Sequence, residues 1–305
     1  MNTSLSHIQF PLLIDGGLSN QLESQGCDLN HPLWTAKLIQ EDPQAVIEAH
    51  LAYLNAGAKC IATMSYQASR MGYEQIGIDN VQADELIIKS VDLAAQAVGI
   101  FMKEHPQASK PLIAASMGPY GAALADGSEY RGDYEVTKAH LEDFHLPRIQ
   151  LLAASQADLL AFETIPSILE TEVLAEITQD IGKPFWASFS CINGKSISDG
   201  TPIRTAVEVF KNSHDIFAIG VNCTAPKHIG PLIDEIKATG WTRHIIVYPN
   251  LGKVYNVDTK VWEEVGEEQV FGVDLVQQWL EQGADVIGGC CQVGPDDIRA
   301  LDNLI

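Results

Sequence analysis

Short apolar runs recur along this chain of 305 residues, and longer amphipathic segments separate them. Each run is largely continuous rather than alternating, as expected for strands that are buried on both faces of a parallel sheet. Eight such runs cover residues 11–17, 58–66, 111–121, 158–164, 184–191, 216–223, 244–250 and 284–291. We expect each run to form a β-strand, and this expectation restricts the possible folds more than any other feature of the sequence.

The segments between these runs have the pattern of amphipathic helices. One of them, DPQAVIEAHLAYLNAGA, begins with Asp42 as a helix cap and Pro43 in the first turn, and Gly57 lies near its end. Strands that alternate with helices form right-handed βαβ units. Eight units predict an α/β protein with a single (β/α)8 TIM-type barrel, in which residues 1–305 form one domain. A doubly wound open sheet is the alternative, but no G-x-G-x-x-G motif follows the first run.

The charge balance argues against two kinds of partner. The chain has 19 Lys and Arg residues and 40 Asp and Glu residues, so its formal net charge is −21. A surface of this sign repels nucleic acid and anionic membranes, and we expect neither as a partner. The first apolar run, FPLLI, is too short for a signal core or a membrane span. The six cysteines are too few for a disulfide scaffold, so we expect free thiols in a cytoplasmic protein.

Thiol-bearing residues collect where two of the predicted strands end. In a (β/α)8 barrel the carboxyl ends of all strands meet at one rim, where binding and catalytic groups lie. Cys223 ends the sixth run, and Cys290 and Cys291 end the eighth. Three thiolates with an open fourth position describe a zinc site that can bind a ligand. A vicinal disulfide or redox pair at Cys290 and Cys291 is the competing interpretation.

The type of ligand narrows the chemistry of such a site. Three thiolates make zinc a poor activator of water and a better holder of an incoming thiol. None of the nine histidines lies in an H-x-H or H-E-x-x-H pattern, which hydrolytic zinc sites favour. Adjacent side chains diverge on a straight strand. We therefore expect the extended chain to break at Cys290 and Cys291, with Gly288 and Gly289 lowering the steric cost of the bend.

Several longer motifs resemble the homocysteine S-methyltransferase family. The resemblance covers nearly the whole chain, and the motifs that carry it are DGGLSNQLESQGCDLNHPLWTAKLI, TMSYQAS, SMGPYGAALADGSEYRGDY, FETIPS, SDGTPIR, GVNCTAP, VYPNLG and IGGCC. The segment ADGSEYRGDY favours the branch that uses S-methylmethionine or S-adenosylmethionine over the branch that uses betaine. The family has a (β/α)8 barrel, which agrees with the strand pattern. The chain lacks the D-x-H-x-x-G signature of the cobalamin-dependent members.

The resemblance implies a cofactor, a substrate and two acidic contacts. Cys223, Cys290 and Cys291 would bind Zn²⁺, and the sulfur of homocysteine would be the fourth ligand. Glu163 would accept a hydrogen bond from the ammonium group of homocysteine, and Asp15 would help to orient it. The implied activity is transfer of a methyl group from a sulfonium donor to homocysteine, which forms methionine. A non-catalytic zinc or redox-sensing thiol barrel is the alternative from a different class.

Further residues are candidates for contacts with the amino acid substrate. The backbone amides of Gly16 and Gly17 could hold its carboxylate, because glycine lets the backbone approach a ligand closely. Asn222 precedes a predicted metal ligand and is expected to hydrogen-bond at the site. Phe162 stands where the family often has cysteine, directly before Glu163, and we expect its side chain to point away from the site.

The methyl donor is a sulfonium cation, and aromatic faces attract cations. Tyr66 and Tyr120 lie at or near predicted strand ends, and Trp34 is placed to line the mouth of the barrel. The resemblance also suggests that the loop ADGSEYRGDY reaches over the donor. These three aromatic residues are therefore the candidates for donor contacts, and packing in the core or wall of the barrel is the alternative for each.

Overall fold

The computed structural model describes residues 5, 8–252, 254–256, 261–263 and 271–305. Ten strands lie in these ranges: β1 (Leu12–Leu13), β2 (Cys60–Ala62), β3 (Leu112–Met117), β4 (Leu159–Ile165), β5 (Phe185–Phe189), β6 (Ile216–Asn222), β7 (His244–Tyr248), β8 (Val254–Asn256), β9 (Val261–Glu263) and β10 (Val286–Ile287). Strands β8 and β9 form a separate antiparallel pair. The other eight correspond to the eight apolar runs of the sequence.

Those eight strands are parallel and form a ring in the order β1-β10-β7-β6-β5-β4-β3-β2. Two backbone hydrogen bonds join the ends of this order, because Lys59 N–H donates to the carbonyl of Leu13 and Asp15 N–H donates to the carbonyl of Cys60. A parallel bridge between Ile14 and Cys60 lies between them. The ring confirms the predicted (β/α)8 barrel and excludes the doubly wound open sheet.

Helices occupy the connections between the strands. In the described ranges they are α1 (Leu18–Ser24), α2 (Leu38–Glu41), α3 (Pro43–Asn55), α4 (Arg70–Glu74), α5 (Asn80–Glu104), α6 (Tyr120–Leu124), α7 (Lys138–Ala154), α8 (Ile168–Ile177), α9 (Ile203–Val209), α10 (Ile229–Ala238), α11 (Val273–Gln282) and α12 (Pro295–Asp302). The predicted cap of α3 is confirmed, since the Asp42 side chain accepts from Ala45 N–H at 3.1 Å. In the part of the chain described above, no helix combines the length and the apolar content that crossing a bilayer requires.

Alternate residues of each strand belong to two separate apolar layers. On β4, Leu159 and Ala161 pack in the layer inside the ring, whereas Leu160 and Phe162 pack in the layer between strands and helices. Phe162 therefore points away from the barrel interior, as expected from the sequence, and its ring meets Phe185 at a centroid distance of 5.4 Å. This alternation directs the next odd-numbered residue of β4, the glutamate at position 163, into the barrel.

Candidate active site

Three cysteine side chains meet at the carboxyl-terminal rim of the barrel. The Sγ atoms of Cys223, Cys290 and Cys291 lie within 4.8 Å of one another. The Cys223–Cys291 distance is 3.6 Å and the Cys290–Cys291 distance is 4.0 Å. A tetrahedral ion with zinc–sulfur bonds of about 2.3 Å holds two thiolates about 3.8 Å apart. The three sulfur atoms therefore have the spacing of a tetrahedral metal site, and all three residues line one cavity.

The chain bends at this rim for a reason that the sequence did not indicate. Gly288 and Gly289 do not have left-handed φ angles, so their role is not conformational freedom. A Cβ atom at Gly288 would lie 2.7 Å from the carbonyl oxygen of Asp15, so glycine is needed there for space. The left-handed conformations belong to Cys223, with φ 45°, and to Gln292, with φ 71°. Non-glycine residues keep such angles only where the surrounding structure imposes them.

Two buried carboxyl groups lie in the wall of the same cavity. Glu163 accepts hydrogen bonds from Ser116 Oγ at 2.5 Å and from Tyr248 Oη at 3.2 Å. Burial raises the pKa of Glu163 to about 7 despite these two hydrogen bonds. Asp15 accepts from Ala62 N–H at 2.8 Å, and burial, with the charge of Glu163 adding to it, raises the pKa of Asp15 well above its usual range. The pair is therefore suited to receive a cationic group.

Asn222 is buried and its side-chain amide has protein partners on both sides. Its Oδ1 accepts from Thr164 N–H at 2.7 Å and from Ser188 Oγ at 2.8 Å. Its Nδ2 donates to Thr164 Oγ1 at 2.8 Å and lies 4.0 Å from the sulfur of Cys290. Asn222 thus ties the end of β4 to the sulfur cluster, and Thr164 is held at a φ of 61°.

Gly16 and Gly17 both line the cavity, but their amides differ in availability. The Gly17 N–H donates to the carbonyl of Val293 at 2.9 Å. The Gly17 carbonyl in turn accepts from Tyr53 Oη at 2.8 Å. The backbone of Gly17 therefore connects this rim to the loop after β10, which leaves Gly16 as the candidate for a contact with the substrate carboxylate.

The structure separates the three aromatic residues that were expected to contact the donor. Trp34 and Tyr66 line the cavity and meet edge to face, with ring centroids 6.4 Å apart. Tyr120 does not line it, because its ring packs against Tyr134 and Phe144 at 5.4 and 5.3 Å in a satellite apolar cluster. We therefore retain only Trp34 and Tyr66 as donor contacts.

Sequence reasoning missed several residues of this cavity, which has a volume of about 620 Å³, and three of them contact the predicted site residues. Tyr130 Oη lies 3.8 Å from the sulfur of Cys223, and Ser116 and Tyr248 hold Glu163. Ser116 and Tyr248 lie near the carboxyl ends of β3 and β7, so the rule that placed the cysteines at the rim applies to them too. Tyr130 comes from the loop ADGSEYRGDY, which the sequence pointed to only as a whole.

Comparison with known proteins identifies the family. The family model described as homocysteine S-methyltransferase matches residues 12–305. The chain belongs to the homocysteine S-methyltransferase family. This confirms the resemblance that the sequence motifs indicated.

Individual members of the homocysteine S-methyltransferase family match most of the chain. A homocysteine S-methyltransferase of Escherichia coli is 42% identical over 291 residues, which are 95% of this chain and 94% of the relative. A selenocysteine Se-methyltransferase of Brassica oleracea is 40% identical over 95% of this chain and 87% of the relative. The crystal structure of the metallated Escherichia coli homocysteine methyltransferase MmuM superposes with a TM-score of 0.88 at 39% identity and covers 99% of both chains.

Proposed function

We propose that this member of the family transfers a methyl group from S-methylmethionine or S-adenosylmethionine to homocysteine and so forms methionine. The observation that supports this activity most strongly is the cluster of three thiols beside two buried carboxyl groups in one cavity. Thiols suit the binding of a soft metal and a sulfur substrate. The carboxyl groups suit the ammonium group that an amino acid substrate carries.

Zn²⁺ is the proposed cofactor, and Cys223, Cys290 and Cys291 would hold it. Contact with Cys223 and burial raise the pKa of Cys290 well above its usual range. Three anionic sulfur atoms therefore do not persist together in this site without a cation, which is the expected property of a metal site before loading. When bound, zinc supplies a Lewis acid that keeps the sulfur of the acceptor in its thiolate form.

Glu163 and Asp15 are the proposed partners of the ammonium group of homocysteine. Ser116 and Tyr248 hold the Glu163 carboxyl in place, so little orientational freedom is lost when the substrate binds. The ammonium group favours the ionised carboxylate and lowers a pKa that burial has raised. Asn222 acts as a positioning residue, because it braces Thr164 beside the sulfur cluster.

The methyl donor would approach from the side of the cavity that Trp34 and Tyr66 line. On binding, the thiol of homocysteine would release its proton to solvent, and the thiolate sulfur then attacks the methyl carbon of the sulfonium. A new sulfur–carbon bond forms as the old one breaks, and the sulfur of the donor keeps the electron pair and becomes a neutral thioether. Opposite charges cancel in this step, so a cavity with little water favours it. The chain contributes orientation and needs no strong base.

One assay with the zinc-loaded protein tests the activity. Homocysteine and either sulfonium donor, supplied in parallel under reducing conditions, should yield methionine. Cys290→Ser should abolish zinc retention, measured by elemental analysis, and turnover together. Cys27→Ser is the control, because Cys27 lines the same cavity outside the sulfur cluster and should keep both properties. Absence of methionine with both donors, while the wild type binds zinc stoichiometrically, would refute the proposed activity.

The cytoplasmic location remains a prediction. All six cysteines are free thiols in the structure, which suits a reducing compartment. Fractionation of cells with an antibody to the protein would test it.

A further inference from the structure

The cavity also contains a carboxyl group, that of Glu129, which the proposed acceptor site does not use. Glu129 lies in the short 3-10 helix Ser128–Tyr130, which belongs to the loop after β3, and it lines the cavity. Its Oε2 is buried and has no hydrogen-bond partner in the described part of the chain. The same is true of Gln67 Oε1, and Gln67 also lines the cavity. Buried acceptors are normally paired, so two unpaired ones in one cavity indicate a ligand with N–H donors.

In the described part of the chain, Glu129 forms no ion pair with a basic side chain, although the charge of Arg131 offsets a small part of the effect of burial. The nearest basic residue in sequence, Arg131, is 46% exposed, forms an ion pair with Asp133 at 3.2 Å and donates to the carbonyl of Asp126. Burial raises the pKa of Glu129 to about 7, and the charge of Asp126 adds to this effect. A positively charged ligand group would supply the missing partner.

The position of Glu129 assigns it to the donor rather than the acceptor. Its neighbour Tyr130 reaches the sulfur of Cys223 at 3.8 Å, so the short helix that carries Glu129 lies beside the sulfur cluster. The charge of Glu129 contributes, after burial, to a raised pKa of Tyr66, which places the carboxyl group near the aromatic donor contacts. The acceptor site at Glu163 is built from β4 and its neighbours instead.

Hydrogen bonds from other segments anchor the loop that carries Glu129. Ser190 Oγ, just beyond β5, donates to the carbonyl of Glu129 at 2.9 Å. The buried carboxylate of Glu170 accepts from Tyr120 N–H at 2.7 Å, from His145 at 2.6 Å and from Tyr134 Oη, and so ties both ends of the loop to α7 and α8. A side chain on such a loop is preorganised for a ligand.

We propose that Glu129, assisted by the side-chain carbonyl of Gln67, binds the α-ammonium group of the methyl donor and thereby selects sulfonium donors that are α-amino acids. The inference rests on the proposed function, since it assigns the donor side of the same site. It gives the cavity two ammonium sites, one on β4 for the acceptor and one on the β3 loop for the donor. A sulfonium that lacks an amino group would leave the carboxylate of Glu129 unpaired.

The test compares two donors on the zinc-loaded wild type and on Glu129→Gln. S-Methylmethionine carries the α-ammonium group, and 4-(dimethylsulfonio)butanoate is the same molecule without it. The wild type should prefer S-methylmethionine in kcat/KM by about 10- to 100-fold, the usual effect of losing a buried hydrogen bond to a charged group. In Glu129→Gln that preference should fall to within about threefold, because only the amino acid donor loses its partner.

Controls separate a donor site from a structural role. Glu135→Gln changes an exposed carboxylate shortly beyond the same loop and should behave as the wild type. The KM for homocysteine should be unchanged in Glu129→Gln. Equal loss for both donors, or an unchanged preference, would overturn the assignment. Calorimetric titration of S-methylmethionine into both proteins measures donor binding without turnover. If the wild type binds the donor more tightly than Glu129→Gln but forms no methionine, the proposed function is wrong and the assignment of Glu129 still holds.

Discussion

The buried carboxyl group of Glu163 predicts a specific dependence of stability on pH. Its pKa is about 7 in the fold and 4.5 in an unperturbed chain, and burial is the main cause. Below pH 4.5 the group is protonated in both states and imposes no cost on folding. As pH rises above 4.5 the unfolded chain releases this proton while the folded barrel keeps it, so the stability present at low pH is lost progressively until about pH 7, where the folded state ionises as well. The full cost is about 3.5 kcal/mol, at about 1.4 kcal/mol for each pKa unit.

The perturbation that isolates this effect is Glu163→Gln in metal-free protein. Glutamine keeps the shape and can still pair with Ser116 and Tyr248, but it does not titrate. Relative to the variant, the wild type should lose about 2.5 kcal/mol of unfolding free energy between pH 5 and pH 8. Asp15 acts in the same direction, since the charge of Glu163 helps to raise its pKa. Urea unfolding of both proteins at the two pH values measures the difference.

Comparison with a surface variant completes the experiment. Glu104→Gln changes an exposed glutamate at the end of α5 and should show the same pH dependence as the wild type. If the wild type and Glu163→Gln lose stability in parallel from pH 5 to pH 8, the burial argument for Glu163 is wrong. A wild type that gains stability relative to the variant would show that the fold favours the ionised carboxylate, as pairing with a cation would.

Two further predictions concern the supports of the site. Tyr248→Phe removes the hydroxyl that donates to Glu163, so kcat/KM for homocysteine should fall by about tenfold or more while the KM for the donor stays constant. Steady-state kinetics with each substrate varied measures both values, and an unchanged kcat/KM would contradict a role for this contact. Phe162→Ala empties a buried position on the outer face of β4 and should cost about 3–5 kcal/mol of stability without changing zinc content or either KM. Denaturant unfolding measures the loss of stability and elemental analysis measures the zinc content, and a loss of zinc would contradict the assignment of Phe162 to the outer layer.

The fold could be predicted in detail because it depends on local patterns. Continuous apolar runs indicate strands that are buried on both faces, and alternation with helices implies parallel pairing. The predicted strand 158–164 became Leu159–Ile165, and the run 216–223 became Ile216–Asn222. The first and last runs became strands of only two residues each, and close backbone packing follows them, because a Cβ atom would clash with the carbonyl oxygen of Val293 at Gly16 and would lie 2.7 Å from that of Asp15 at Gly288.

The meeting of Cys223 with Cys290 and Cys291 also followed from the sequence. Parallel strands of a barrel end at the same rim, so residues 68 positions apart come together once the topology is known. The alternation along β4 likewise predicted that Phe162 points away from the site.

Only the tertiary structure decided which loop side chains enter the cavity. Tyr130 and Glu129 enter it, and Tyr120 does not, although all three belong to the same connection after β3. The sequence of a loop does not set its path, because that path depends on long-range contacts such as those of Glu170 with His145 and with the backbone of Tyr120. The regular geometry of the sheet sets the positions of strand ends, whereas the positions of loop residues depend on packing against segments that are distant in sequence.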